Sequence, residues 1–259
     1  MASYDQIGSG YSRTRRADAR IVERITALLR LPIGSRVIDV GAGTGNYSNA
    51  IAEKGYRVEA VEPSALMRAQ AQAHRSVVWS AGFAEALPFN DAAVDGAICI
   101  LAFHHFSDHR QALREARRVT GGGPIVLFTW EPRVFWNFWL FDYFPNIRED
   151  DDEMFPPIES VAEMIEEQTG LRAAIEPFPL PRDLVDLFAA GGWARPELYL
   201  DPRVRAGISA FAAADQSRIA IGVDRLNADL ASGDWIKRYG HLAKRKTIDA
   251  GYRFVLVSV

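Results

Sequence analysis

The chain has a single cysteine, Cys99, in 259 residues. An intrachain disulfide framework and a multi-cysteine zinc site are therefore excluded. Long apolar runs are missing as well. The most lipophilic stretch, residues 135–144, has about half the ~20 residues that a membrane helix needs, and it contains Asn137 and Asp142. There is no excess of positive charge: 30 Lys and Arg stand against 33 Asp and Glu, a formal net charge of −3. Such a balance offers no electrostatic grip on a phosphate backbone. Residues 1–6 show no basic segment followed by an apolar one, and residues 256–259 (LVSV) match no lipidation or retention signal. These absences predict a cytoplasmic protein with neither a membrane nor nucleic acid as partner. What is there is ordinary globular material, long enough to bury roughly 70–75% of the surface of the unfolded chain. The length falls between one domain and two, and a small molecule or another protein is the expected partner.

The periodicities come in a regular order. Ile21, Ile25, Leu28 and Leu29 share one helical face in residues 17–30, and Pro32 and Gly34 stop that helix. Residues 36–40 (RVIDV) form a β-branched run that ends on glycines. Helical character follows at 46–54, strand character at 56–61 (YRVEAV), helix at 64–74, and short strands at 77–79 and 93–100 (AVDGAICI). Ser107 or Asp108 can cap a helix that runs to Val119 through Ala112, Leu113 and Ala116, before glycines at 121–123 and a strand at 124–129 (PIVLFT). Five apolar strands alternating with helices predict a parallel sheet covered on both faces, with right-handed crossovers. This is a Rossmann-like, doubly wound α/β fold whose ligand lies beyond the carboxyl ends of the strands. After residue 130 come an aromatic stretch, an acidic run at 149–153, and a capping-box pattern at Ser160 and Glu163. Residues 171–178 read as a sixth strand, 181–247 as mostly helical, and 251–259 (GYRFVLVSV) as a final strand. If the last two strands are neighbours, 181–247 is an insertion between them.

The most informative segment is residues 37–46, Val-Ile-Asp-Val-Gly-Ala-Gly-Thr-Gly-Asn. A buried strand meets a glycine turn that opens a helix. Glycines let a ligand touch the backbone, and the helix start presents unpaired amides. A nicotinamide fingerprint would be G-x-G-x-x-G, whereas Gly41, Gly43 and Gly45 are spaced G-x-G-x-G and position 46 is Asn. A phosphate-binding P-loop is excluded because no Gly-Lys-Ser/Thr follows. The segment resembles motif I of the class I S-adenosylmethionine-dependent methyltransferases, in the small-molecule branch typified by the ubiquinone and menaquinone biosynthesis enzymes. Further matches lie at Glu62 after the second strand, at residues 81–89 (AGFAEALPF), and at residues 101–106 (LAFHHF). The resemblance spans residues 36–130.

That resemblance implies a seven-stranded sheet, mostly parallel with the last strand antiparallel. It divides the chain into an N-terminal cofactor-capping segment (1–35), a core (36–180 and 248–259) and a helical cap (181–247). S-adenosylmethionine is the implied cofactor. Gly41, Gly43 and Gly45 would border its methionine portion, and Asp39 would order the loop and the amino group. Glu62 would hold the ribose. Met67, Phe83 and Ala84 would serve adenine, and Leu101 and Ala102 would line the sulfonium end. Phe83 stands where the family often has an acid, which implies an apolar or backbone-mediated adenine contact. Tyr11 and Arg15 (or Arg16) are candidates to close over the cofactor, with an arginine on its carboxylate.

Methyl transfer is a direct displacement, so alignment in a dry site carries much of the catalysis. A base helps only if the acceptor brings a proton, and His104 and His105 stand where the acceptor approaches. Packing of the loop is the plainer role for that pair. No metal site is expected, and Cys99 reads as an inert core residue. The chain lacks the Asp/Asn-Pro-Pro-aromatic motif of DNA-base methyltransferases, the paired glutamates of arginine methyltransferases, the thiols of arsenite enzymes and a catechol-type magnesium cluster. A free small molecule is left as acceptor, methylated on oxygen, nitrogen or carbon. Trp130 and the aromatics of 135–144 could line its pocket, or could pack beneath the insertion. Trp193, Arg195 and Tyr199 could close over it, with Arg195 on an anionic group. Charges at helical intervals in 202–247 fit a solvated lid or a homodimer contact. The alternatives are a non-catalytic S-adenosylmethionine-binding regulatory subunit and a nicotinamide oxidoreductase.

Overall fold

The computed structural model describes residues 14–147 and 155–257. Tyr11 and the acidic run at 149–153 lie outside them. Helix α1 (Ala19–Leu29) buries Ile21, Val22, Ile25, Leu28 and Leu29 along one stripe. Asp18 caps it by accepting the Arg20 N–H at 3.0 Å. Then follow β1 (Arg36–Val40), α2 (Asn46–Glu53), β2 (Arg57–Val61), α3 (Ala65–Ala69), β3 (Val77–Ser80), β4 (Gly96–Ile100), α4 (His109–Thr120) and β5 (Ile125–Trp130). Asp108 caps α4 through the Gln111 N–H at 2.9 Å, as its sequence position predicts. Two short helices, α5 (Pro132–Phe135) and α6 (Leu140–Tyr143), precede α7 (Ile158–Thr169), β6 (Ala174–Pro177) and, much later, β9 (Tyr252–Val257).

The main sheet has seven strands in the order β3-β2-β1-β4-β5-β9-β6. The pairings from β3 to β5 are parallel, and β9 runs antiparallel to both β5 and β6. Successive residues feed opposite layers, as period-2 geometry requires. Val37, Ile98, Val126 and Phe254 enter the core beneath α1 and α2. Their neighbours Ile38, Cys99, Leu127 and Val255 enter the one beneath α4 and α7.

A two-stranded ribbon, β7 (Leu180–Pro181) against β8 (Thr247–Ile248), stands at the root of the segment between β6 and β9. That segment carries α8 (Pro202–Ala206), α9 (Ser209–Ala213), α10 (Gln216–Ser232) and α11 (Asp234–Tyr239). It packs on the aromatic stretch that follows β5. Phe135, Phe138, Trp139, Phe141, Tyr143 and Phe144 are all buried. Tyr143 donates to Asp229 at 2.7 Å, and Tyr239 donates to Asp142 at 2.6 Å. A Cβ on Gly222 of α10 would stand 2.5 Å from Phe144, so the helix docks at a residue with no side chain. Most of these rings are the floor of the insertion.

Two local expectations are corrected. Ser160 and Glu163 form no capping box, because α7 starts earlier, at Ile158, whose N–H donates to Glu131 Oε2 at 2.9 Å. A side chain from the end of β5 supplies the cap instead. The third helix ends at Ala69, short of the predicted residue 74.

Gly45 begins α2 with φ +77°, and a Cβ there would lie 2.5 Å from Trp79. Gly45→Ala combines a left-handed backbone with a clash against a ring held in the sheet. A loss of about 2 kcal/mol is expected, read as a lower urea midpoint at unchanged slope.

Candidate active site

The carboxyl ends of β1, β2 and β4 open onto a cavity of about 160 Å³. Its wall is built from the glycine turn (Gly41, Ala42, Gly43, Thr44), Asn46 and Tyr47 of α2, Glu62 and Pro63 after β2, Met67, Phe83, and Ile100–Ala102 with His105 and Phe106 after β4. Arg15, Arg16 and Asp186 complete it. The turn is placed by backbone bonds: the Gly41 and Ala42 N–H groups donate to Val61 O at 2.9 and 3.0 Å. Gly41 has φ +78°, and a Cβ on it would meet Ala102 at 2.6 Å. The glycine lets the β1 and β4 ends approach each other, which is a packing reason as well as a ligand reason.

Glu62 is buried, and its carboxylate is shared. Oε2 accepts the Gly43 N–H at 3.0 Å and Oε1 accepts the Ser64 N–H at 2.9 Å. It thus ties the glycine turn to the start of α3. Below the turn, buried Asp39 accepts from the Ser48 hydroxyl at 2.6 Å. Burial pushes its carboxyl up to about 7. The Ser48 bond opposes that rise and the Glu62 charge adds to it.

Leu101 is a non-glycine residue at φ +52°, with its N–H donating to Phe128 O at 2.8 Å. Strain of this kind costs about 1 kcal/mol or more and is retained where the surroundings dictate it. Here it turns the chain from β4 into the tight turn Phe103–His105, bringing His105 to the cavity wall. His104 points elsewhere. Its ring lies 4.2 Å from that of Trp130 and 3.8 Å from that of His105 (centroid distances). Both His104 Nδ1 and Trp130 Nε1 are buried with no hydrogen-bond partner. Desolvation, then the neighbouring His105, hold His104 well below the usual imidazole range, so it is neutral at pH 7. Desolvation lowers His105 too, to about 4, although the residue as a whole is exposed.

Residues 38–128 match the family described as a methyltransferase domain. A solved structure from Anabaena variabilis, described as a methyltransferase from an antibiotic biosynthesis pathway, is 48% identical. The match covers 95% of this chain and 99% of that one at a TM-score of 0.92. The chain belongs to the class I S-adenosylmethionine-dependent methyltransferases. The ubiquinone/menaquinone biosynthesis C-methyltransferase of Rubrivivax gelatinosus is 31% identical over 168 residues, 62% of this chain. This methyltransferase spans 63% of the length of that curated relative. Phosphoethanolamine N-methyltransferase 2 of Haemonchus contortus, solved with S-adenosylhomocysteine, shares the fold at a TM-score of 0.62 and 16% identity. That match covers 98% of this chain and 57% of the other.

S-adenosylmethionine is the cofactor of this methyltransferase family, and the cavity lining suits it. Two glycines whose positive φ leaves backbone bare, a buried carboxylate, the Met67 and Phe83 side chains and an arginine meet in one cleft. Of the residues expected from sequence, Arg15, Gly41, Gly43, Glu62, Met67, Phe83, Leu101, Ala102 and His105 line it. Asp39, Gly45 and Ala84 stand behind the wall and are buried. The structure separates four others, His104 among them, from the cavity. Trp130 lies with His104. Trp193 is fully buried, its indole N–H shared between Leu180 O and Pro181 O at 3.1 Å each. Arg195 donates to the backbone of Leu184 and Gly191. Trp193 and Arg195 therefore brace the insertion rather than face an acceptor. Asn46, Tyr47 and Asp186 were missed. The one sequence signal for Asp186 is an acid at an inward position of the alternation Leu184, Asp186, Phe188, all buried.

Proposed function

We propose that this methyltransferase moves a methyl group from S-adenosylmethionine to a nucleophilic oxygen, nitrogen or carbon of a small cytoplasmic metabolite. One juxtaposition supports the reading most. The cleft has a glycine-and-carboxylate end and a Leu101, Ala102 and His105 end, and the second adjoins an aromatic wall with two orphaned polar atoms, His104 Nδ1 and Trp130 Nε1. Buried polar groups ordinarily find partners, and an acceptor molecule would supply them. When bound, S-adenosylmethionine supplies an electrophilic methyl carbon on a sulfonium sulfur.

Gly41 and Gly43 would lie against the methionine portion, with Asp39 ordering the turn from below and Gly45 fixing α2. Glu62 would accept from the ribose hydroxyls; a carboxylate has about four acceptor sites, so this is compatible with holding the loop. Met67 and Phe83 would flank adenine, backed by Ala84. Leu101 and Ala102 would line the sulfonium end. The acceptor lone pair forms its bond to the methyl carbon as the carbon–sulfur bond breaks and its electrons stay on sulfur. An acceptor that arrives protonated gives its proton to His105, whose ring faces the cavity. His104, neutral and desolvated, and the Trp130 indole N–H lie outside this cavity, behind His105, and would hydrogen-bond an acceptor that extends past that ring.

A crystal of the protein soaked with S-adenosylhomocysteine tests this. The sulfur is expected beside Leu101 and Ala102, with open volume beyond it bounded by His105, His104 and Trp130. A sulfur that faces a closed wall would overturn the reading.

A further inference from the structure

The insertion is laced to the segment that leads into α1 and to the first turn of that helix. Residues 183–187 run antiparallel to residues 14–20 through four successive ties. Leu187 N–H donates to Thr14 O at 3.3 Å, and Arg15 pairs with Asp186. Val185 N–H donates to Asp18 Oδ2 at 3.1 Å, and Arg20 Nη1 reaches Asp183 at 2.7 Å. The Arg15–Asp186 rung is the one that enters the cofactor cavity. Arg15 Nε donates to Asp186 Oδ1 at 2.5 Å, and Nη2 approaches Oδ2 at 3.4 Å. The Tyr47 hydroxyl donates to the same Oδ2 at 3.0 Å. The carboxylate is almost entirely buried. The backbone that carries it is tightly packed, because a Cβ on Gly191 would lie 2.3 Å from the Asp186 carbonyl oxygen. Arg15 is anchored to the glycine loop as well: Asn46 Nδ2 donates to its carbonyl at 2.6 Å.

We propose that Asp186 is a positioning residue for the methionine end of the cofactor: it fixes the Arg15 guanidinium in the cavity and so makes cofactor affinity depend on docking of the insertion. The inference rests on the cofactor assignment above. A buried arginine without a carboxylate partner would lose both its orientation and its charge compensation. Asp186 supplies both from a segment that belongs to the insertion, so docking of the insertion sets the grip on the donor. Tyr47, on the helix that opens from the glycine turn, holds the second carboxylate oxygen and completes the link between insertion and loop.

The test compares two ligands by calorimetry on the full chain. S-adenosylhomocysteine carries the amino-acid end, and 5′-methylthioadenosine lacks it. Asp186→Asn is expected to weaken S-adenosylhomocysteine about tenfold or more, and 5′-methylthioadenosine by less than about twofold. In an Arg15→Gln background the same change is expected to add less than about twofold, because the two residues act as one unit. Tyr47→Phe keeps the ring and removes one bond to Asp186. It is expected to give a smaller loss with the same ligand selectivity, and it replaces Asp186→Asn if that variant does not fold. Equal losses for both ligands would reduce Asp186 to a structural brace and overturn the proposal, as would additive effects of Arg15 and Asp186 or an unchanged affinity. A wild-type chain that binds neither ligand would instead refute the cofactor reading beneath it.

Discussion

Glu62→Ala is expected to weaken S-adenosylhomocysteine binding by about 2–4 kcal/mol, roughly 30- to 1000-fold. Two losses combine. The first is direct: hydrogen bonds from ribose hydroxyls to a charged acceptor contribute about 1.5–3 kcal/mol. The second is indirect. Glu62 accepts the Gly43 and Ser64 amides at 3.0 and 2.9 Å, and the buried Ser64 amide left without a partner costs about 1–3 kcal/mol. Part of that second cost falls on the unliganded fold, and the remainder on the turn that must lie against the cofactor. Calorimetric titration and urea unfolding of the same variant separate the two. A large fall in stability with unchanged affinity would make Glu62 a loop brace and remove it from the ribose. Glu62→Gln keeps one acceptor oxygen, and its affinity is expected to fall between those of wild type and Glu62→Ala.

That carboxylate was legible in the sequence because everything that positions it is local. It ends a strand that alternates, it follows the first glycine by a fixed spacing, and the turn it braces is punctuated by glycines. The sheet was legible for the same reason. Strands such as β1 and β5 carry apolar residues on both faces and must be covered on both, and the crossover rule leaves few topologies. What was not legible depends on partners far along the chain. Asp186 meets Arg15 across 171 positions, and nothing near either residue announces the other. Ser160 looked like a helix cap only until Glu131, from the end of β5, reached Ile158 first. Trp193 and Arg195 suggested a lid over the acceptor because a tryptophan and an arginine often serve one. The insertion needs them for its own backbone carbonyls at Leu180, Pro181, Leu184 and Gly191. Gly45 carried a cofactor expectation, yet its missing side chain answers to Trp79, two strands away from β1 in the sheet. At Gly45, Trp193 and Arg195 a tertiary contact claimed a residue that local pattern had assigned to the ligand.

Asp39→Asn is expected to change how stability depends on pH by an amount on the order of 4 kcal/mol. Asp39 is buried, and its carboxyl is pushed from the usual 3.8 up to about 7, chiefly by desolvation. Between those two values the folded chain holds a proton that the unfolded chain has already released. Stability therefore falls as pH rises from about 4 to about 7, and the full cost of ionising the buried group stands above that window. Asparagine has no proton to lose, and its amide oxygen can still accept from Ser48. Urea unfolding of wild type and variant at pH 5, 6, 7 and 8 should show the variant gaining on the wild type up to about pH 7 and the difference levelling off beyond it. A difference independent of pH would place the Asp39 carboxyl in the ordinary range. The same residue then reports on the cofactor. An ammonium group arriving at the glycine turn would favour ionised Asp39, because an opposite charge nearby lowers a carboxyl pKa. Binding of S-adenosylhomocysteine between pH 6 and 7 is thus expected to release a proton, detected as a binding heat that varies with the ionisation enthalpy of the buffer. The Asp39→Asn variant should bind without that release, and a release that survives the substitution would have to come from another group.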